Sequence, residues 1–243
     1  MDYSFLQCGE NALTVHVGEG IDPAVNSRVT ALQAAVTHAE IRGITDLIPA
    51  YGDLTVCYDC TRLSTKALQK KLRRLLGTLS VTGQGSRRVF QLPVCYGGAF
   101  GPDLDFVCSH SGLSAQEVID LHSQPDYLIY MLGFLPGFAY LGGLNPRLHT
   151  PRLESPRTCI PAGSVGIGGA QTGVYPLDSP GGWQLLGCTP VQVFDRKRSE
   201  PILYQAGDAV HFQPITPEEY DRIAKAVADG TYTVQVEEVP VCD

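Results

Sequence analysis

No run of about 18 apolar residues occurs in the chain, so nothing in it reads as a membrane span. The opening Met1-Asp2-Tyr3-Ser4 lacks the basic stretch and apolar core of a signal peptide, and a cytoplasmic protein is expected. Basic clusters are scarce too. The densest, residues 70–74 and 196–198, are short, and leucine interrupts the first at helical spacing. Phosphate-backbone binding needs a broad basic surface, and with a net charge of −7 no nucleic-acid partner is expected. Cys57 and Cys60 form a lone C-x-x-C with no second pair and no paired histidines, so no metal site is expected. The eight cysteines read as free thiols of a reducing compartment, mostly small core hydrophobes. Neither a Gly-Lys-Ser/Thr phosphate loop nor a Gly-x-Ser-x-Gly nucleophile elbow is present.

What is present suits two modest domains. The chain has 243 residues, 44% hydrophobic and 18% charged, enough for each half to bury a core without disulfides or metals. Residues 11–17 alternate at period two, a strand pattern. Asp22-Pro23 is an N-cap with proline at the first helical position, and Val25, Val29, Leu32 and Val36 follow at helical spacing. Residues 44–58 hold two strands broken around Pro49 to Gly52. Ser64 caps a helix whose leucines 68, 72, 75, 76 and 79 form one stripe. Residues 83–86 read as a turn or linker and 88–96 as a strand. The order β, α, β-β, α, β, with room for one further N-terminal strand, fits a small ferredoxin-like α/β sandwich over residues 1–86.

Residues 87–243 differ in texture. Ser114 to Glu117 form a capping box opening a short helix that ends near His122. Residues 133–190 hold 12 of the 26 glycines and 8 of the 17 prolines, a density that excludes long helices and favours short strands in an all-β barrel or sandwich. Thr216 caps a late helix running toward Gly230, and 231–239 read as a final strand.

Four stretches can carry chemistry. Residues 133–144 place Phe134, Phe138 and Tyr140 among glycines: flat apolar pocket walls, or equally a tight barrel corner. Arg152 and Arg157 each follow a proline and offer planar forks for carboxylate or phosphate, or for surface salt bridges. In the glycine-rich run 161–175, backbone amides can form an anion nest and Gln171 and Thr172 can meet an amide; a series of structural turns is the alternative. Residues 179–190 hold the only tryptophan, Trp183, a residue type more often core than ligand platform. His110 stands at a loop-to-helix junction, where an imidazole can act as acid or base. His16 and His38 read as structural, His149 as a weaker site candidate, and His122 as a helix C-terminal residue where a cation is favoured. The residues alone describe an anion- and amide-friendly pocket on a β domain without an evident nucleophile.

Several of these motifs occur together in one known family. Tyr96-Gly97-Gly98, Pro102-Asp103-Leu104, His110 with Gly112-Leu113-Ser114, Leu132-Gly133-Phe134, Pro136-Gly137-Phe138, Tyr140-Leu141-Gly142, Pro151-Arg152, Pro156-Arg157, the run 161–167, Gln171-Thr172-Gly173 and Pro180-Gly181-Gly182-Trp183 span residues 93–190. This stretch resembles the allophanate hydrolase subunit 1 domain, also called the KipI family or the family of 5-oxoprolinase B subunits. The first domain resembles it less, through residues 48–51 and 56–59. The resemblance implies a ferredoxin-like N-terminal domain and a cyclophilin-like β-barrel. It implies one component of an ATP-dependent 5-oxoprolinase that opens 5-oxo-L-proline to L-glutamate with ATP, with Mg, inside a hetero-oligomer. The implied partners are a C-type component related to allophanate hydrolase subunit 2 and a LamB/YcsF-type A component, with the chain alone inactive. On this reading His110 carries protons, Arg152 and Arg157 hold carboxylate or phosphate, Gln171 and Thr172 meet the amide, and Phe134, Phe138 and Tyr140 form the wall. A KipI-like inhibitor of a sensor histidine kinase and a urea or allophanate amidolyase-type component are the alternatives. The last is weakened because Met1 and Met131 leave no biotin-carrier Met-Lys motif. One position departs from the family: Cys188 stands where a basic residue is common.

Overall fold

The computed structural model describes residues 2–79 and 86–240, which fall into two separate units. Residues 83–85 of the expected linker, and Cys242, lie outside the described residues.

In the first unit, strands β1 (Ser4–Cys8), β2 (Ala12–His16), β3 (Ile44–Pro49) and β4 (Asp53–Tyr58) form one antiparallel sheet in the order β1-β2-β4-β3. Helices α1 (Pro23–His38) and α2 (Thr65–Gly77) cover it. Asp22 caps α1, its carboxylate accepting from the amides of Ala24 and Val25, and Ser64 caps α2 through Ala67. Each cap contributes about 1 kcal/mol. Val29, Leu32 and Val36 of α1 meet Leu68, Leu72 and Leu76 of α2 over Leu13, Val15, Leu54 and Val56. The ferredoxin-like strand order holds, with one correction: the edge position is filled by the N-terminal strand β1. The strand expected at 88–96 belongs to the second unit. Local pattern identifies a strand but not its sheet, because pairing partners are far apart in sequence.

That second unit is a closed barrel. Strands β5 (Ser86–Tyr96), β6 (Asp126–Leu132), β7 (Ala139–Gly142), β9 (Ser164–Gly168), β10 (Gln171–Val174), β12 (Gln184–Cys188) and β13 (Ala209–Ile215) run around it as β5-β12-β9-β10-β7-β6-β13 and return to β5. The β13–β5 pairing is parallel and the others antiparallel. Strand β14 (Val236–Pro240) pairs with the first half of β5, and β12 pairs with its end at Cys95 and Tyr96. The final strand is therefore shorter than expected. Strands β8 (Arg157–Ile160) and β11 (Ser179–Gly181) form a separate pair. Leu92, Val94, Tyr127, Ile129, Leu141 and Phe212 are among the buried residues that fill the barrel. Three helices flank the strands: α3 (Leu104–Ser111), α4 (Ala115–Ser123) and α5 (Pro217–Ala228), the last two with complete capping boxes. Helix α3 was not legible as a helix; its N-cap side chain, Asp103, makes no cap bond and is used elsewhere. No described helix is long and apolar enough to cross a membrane.

Candidate functional site

The glycine-rich run 161–175 folds as the β9–β10 hairpin, closed by a two-residue loop at Gly169-Ala170. Its glycines do not form an anion nest. Two of them, Gly168 and Gly173, make room for an indole: a Cβ on Gly168 would sit 2.3 Å from the Trp183 ring. Trp183 therefore lies against bare backbone, with Phe138 and Tyr175 edge-on to it at 5.6 and 6.0 Å. Phe138 in turn meets Tyr140 at 5.3 Å and Phe134 at 5.5 Å, both edge-on. This herringbone follows from ring quadrupoles, each pair adding about 0.5–1.5 kcal/mol beyond burial. Gly181 is required too, since a Cβ there would meet the Tyr175 hydroxyl at 2.6 Å.

These rings wall a cavity of about 340 Å³ lined also by Arg152, Pro156, Pro180 and Gly182. The Arg152 guanidinium stands 5.9 Å above the Trp183 ring, and its Nη2 donates to Gln171 Oε1 at 3.3 Å. Its backbone is pinned on both sides. Thr150 and Gly169 exchange amide hydrogen bonds of 3.3 and 2.8 Å, and the Leu153 amide donates to the Gly182 carbonyl at 2.7 Å. Among the described residues no carboxylate lies within ion-pair reach of Arg152. Burial pushes the Tyr175 phenol up, so at neutral pH it faces the cavity as a hydroxyl. Phe134 forms the lip. It is 62% exposed and adopts a φ of +67°, a left-handed backbone conformation uncommon for a bulky residue.

Arg157 behaves differently from Arg152. Its Nη2 donates to Asp103 Oδ1 at 2.7 Å and its Nη1 to the Trp183 carbonyl at 3.3 Å, while Asp103 Oδ2 accepts from the Leu185 amide at 2.6 Å. This half-buried pair ties α3 to the tryptophan strand. Arg157 is thus committed to structure, and it is not among the cavity-lining residues.

Three further expectations change. Thr172 is fully buried inside the barrel and does not line this cavity; its hydroxyl donates to the Gly166 carbonyl at 3.0 Å. It accepts from His122 Nε2 at 2.7 Å, and His122 Nδ1 accepts from the Tyr96 hydroxyl at 2.8 Å. His122, expected as a helix-terminal cation, is therefore a neutral imidazole: burial pushes its pKa down to about 3. His110 is not at a loop junction. It occupies the exposed last turn of α3, stacked on Phe106 at 6.2 Å, and does not line the cavity.

So the fold gathers Phe134, Phe138, Tyr140 and Arg152 around one cavity with Gln171 beside them, and leaves Arg157, Thr172 and His110 outside it. Trp183 and Tyr175 were missed as wall residues, although Trp183 sits in a Pro-Gly-Gly turn of the same stretch. The partners of Asp103 and His122 carried no sequence signal, since they are 54 and 50 residues away. A broader depression of about 640 Å³ on the first unit is lined by His16 and Arg28. His16 is already engaged by Asp53 at 2.9 Å and Glu19 at 3.5 Å, and that surface lacks an aromatic cage.

Residues 3–204 match the family model of the carboxyltransferase domain, subdomain C and D. The chain is 42% identical to the 5-oxoprolinase B subunit of Bacillus subtilis over 228 residues, 90% of this chain and 95% of that protein. It is 42% identical to the crystal structure of TTHA0988, with a TM-score of 0.73; the match covers 84% of this chain and 40% of that longer one. The K. lactis urea amidolyase structure superposes with a TM-score of 0.84 at 23% identity, over 98% of this chain and 16% of that one, and shares the fold.

Proposed function

The chain belongs to the carboxyltransferase domain family, subdomain C and D, and from that premise we propose that it is the B-type component of a 5-oxoprolinase. In this role it holds 5-oxo-L-proline in the Trp183 cavity. The observation that carries the reading is Arg152: a guanidinium on a pinned backbone, without a carboxylate of its own among the described residues, over the indole of an aromatic cavity. The α-carboxylate of the lactam is the natural partner for that fork, and Phe138, Tyr140 and Trp183 offer apolar faces to its ring. A volume of about 340 Å³ is at the small end for such sites, suited to a ligand of this size. Gln171 orients the guanidinium, and the Tyr175 hydroxyl is placed to donate to a lactam oxygen.

The residues that line this cavity do not fit ATP. The glycine-rich run is a hairpin that seats an indole, and the cavity supplies one guanidinium against a triphosphate. The cavity also lacks a carboxylate or imidazole to move protons. We therefore assign this chain to binding and orienting the lactam. ATP with Mg, and the groups that open the ring, come from the C-type and LamB/YcsF-type partners.

Two measurements test this. Trp183 is the sole tryptophan, so its fluorescence reports the cavity directly. Titration with 5-oxo-L-proline should change emission saturably, and Arg152→Ala should weaken binding about 10- to 100-fold, the loss of one charge-assisted contact. In the reconstituted three-component complex, phosphate release should depend on 5-oxo-L-proline, and the chain alone should give none. Turnover by the isolated chain would remove the partner requirement; a silent titration with an inert complex would remove the substrate.

A further inference from the structure

The barrel closes at a narrow seam. Only two residue pairs join β12 to β5, Gly187 with Tyr96 and Cys188 with Cys95. We propose that Cys95 and Cys188 are a reversible thiol–disulfide pair, oxidised by a hydroperoxide, that staples this seam. The two cysteines are direct cross-strand partners, so their side chains leave the same face of the sheet. Directly opposed residues of an antiparallel pair have Cα atoms about 4.5–5.5 Å apart, within the roughly 4.4–6.8 Å that a disulfide bridges. Val94 and Tyr96 belong to the barrel interior, so by strand alternation Cys95 faces outward, where α5 packs on β5. Both thiols are free.

Access is built in. Cys188 Sγ lies 3.5 Å from the Tyr220 hydroxyl of α5. Tyr220, Gly163 and Thr189 lie next to this sulfur and also line a neighbouring cleft of about 290 Å³, which Cys188 itself does not line. The Cys188 thiolate attacks the peroxide oxygen, forming a sulfenic acid and releasing alcohol or water. The Cys95 thiol then attacks the sulfenyl sulfur, and the hydroxyl leaves as water with the Cys95 proton. The balance is two thiols and one hydroperoxide giving one disulfide, one alcohol (or water) and one water. Burial pushes both thiols above the ordinary thiol range, which keeps the pair reduced against mild oxidants at neutral pH and makes its oxidation faster in base. This inference does not depend on the lactam reading.

The test uses the intact chain. Hydrogen peroxide is added at pH 8.5, remaining thiols are alkylated, and peptides are mapped by mass spectrometry. The expected result is a linked Cys95–Cys188 peptide that dithiothreitol reverses, with a rise of about 5 °C in the Tm followed by Trp183 emission. The rate should rise about tenfold per pH unit between pH 7 and 8.5. Cys188→Ser should leave Cys95 alkylatable and abolish the Tm shift. Alkylation of both cysteines after peroxide has oxidised the exposed Cys8, Cys60 or Cys159 would overturn the proposal. So would a Tm shift that persists in Cys188→Ser.

Discussion

In residues 2–79 the core is leucine and valine, and Tyr58 is the one buried aromatic among its described core residues. In residues 86–240, Phe90, Tyr127, Phe138, Tyr175, Trp183 and Phe212 are all buried, several against glycine backbone. Aliphatic side chains on amphipathic helices stabilise a fold through area alone, leaving no flat surface a ligand can use. Rings set on bare backbone give up some chain entropy at each glycine but create rigid walls with one open face. The candidate site lies in the second unit for that reason.

The contrast can be broken in three places. Leu72→Ala empties a fully buried position between α1, α2 and the sheet and should cost the first unit about 3 kcal/mol. Urea unfolding followed by far-ultraviolet dichroism should show it, while Trp183 emission reports the barrel. If both probes shift equally, the two cores melt as one and the distinction is lost.

Gly168→Ala places a methyl where the indole lies and should cost about 2 kcal/mol, with displaced Trp183 emission and weakened 5-oxo-L-proline binding. Unchanged emission would mean that the indole does not need the bare backbone. The effect that is smallest at neutral pH, and grows only in acid, concerns His122. Its folded pKa, about 3, lies below the ordinary 6.5, so between these values the unfolded chain binds a proton that the barrel excludes. Its contribution is present above about pH 6.5 and lost as pH falls toward 3, with a slope of up to about 1.4 kcal/mol per pH unit. His122→Gln should flatten that limb of the Trp183-detected unfolding curve; an identical slope in the variant would assign the acid sensitivity to another group.

The same contrast governs what could be read in advance. Both helices of the first unit were legible, since Asp22-Pro23, Ser64 and the leucine stripe are signals within a few residues of one another. The capping boxes at Ser114 and Thr216 were legible for the same reason. Helix α3 was hidden because Asp103 spends its carboxylate on Arg157 and Leu185 instead of capping. Of the two proline-preceded arginines, identical in local pattern, one faces the cavity and one is locked in an ion pair. Nothing near either residue in the chain distinguishes them.

Composition and spacing by themselves determined that this is a two-part α and β protein, with a glycine- and proline-rich second half carrying an aromatic and guanidinium cluster. Those properties depend on neighbours a few residues apart, where period and capping act. The tertiary structure decided that β1 completes the first sheet, that Arg152 rather than Arg157 is available to a ligand, that His122 is neutral, and that Cys95 meets Cys188 at the seam. Each is set by a contact between groups distant in the chain, and barrel closure brings the last of them together.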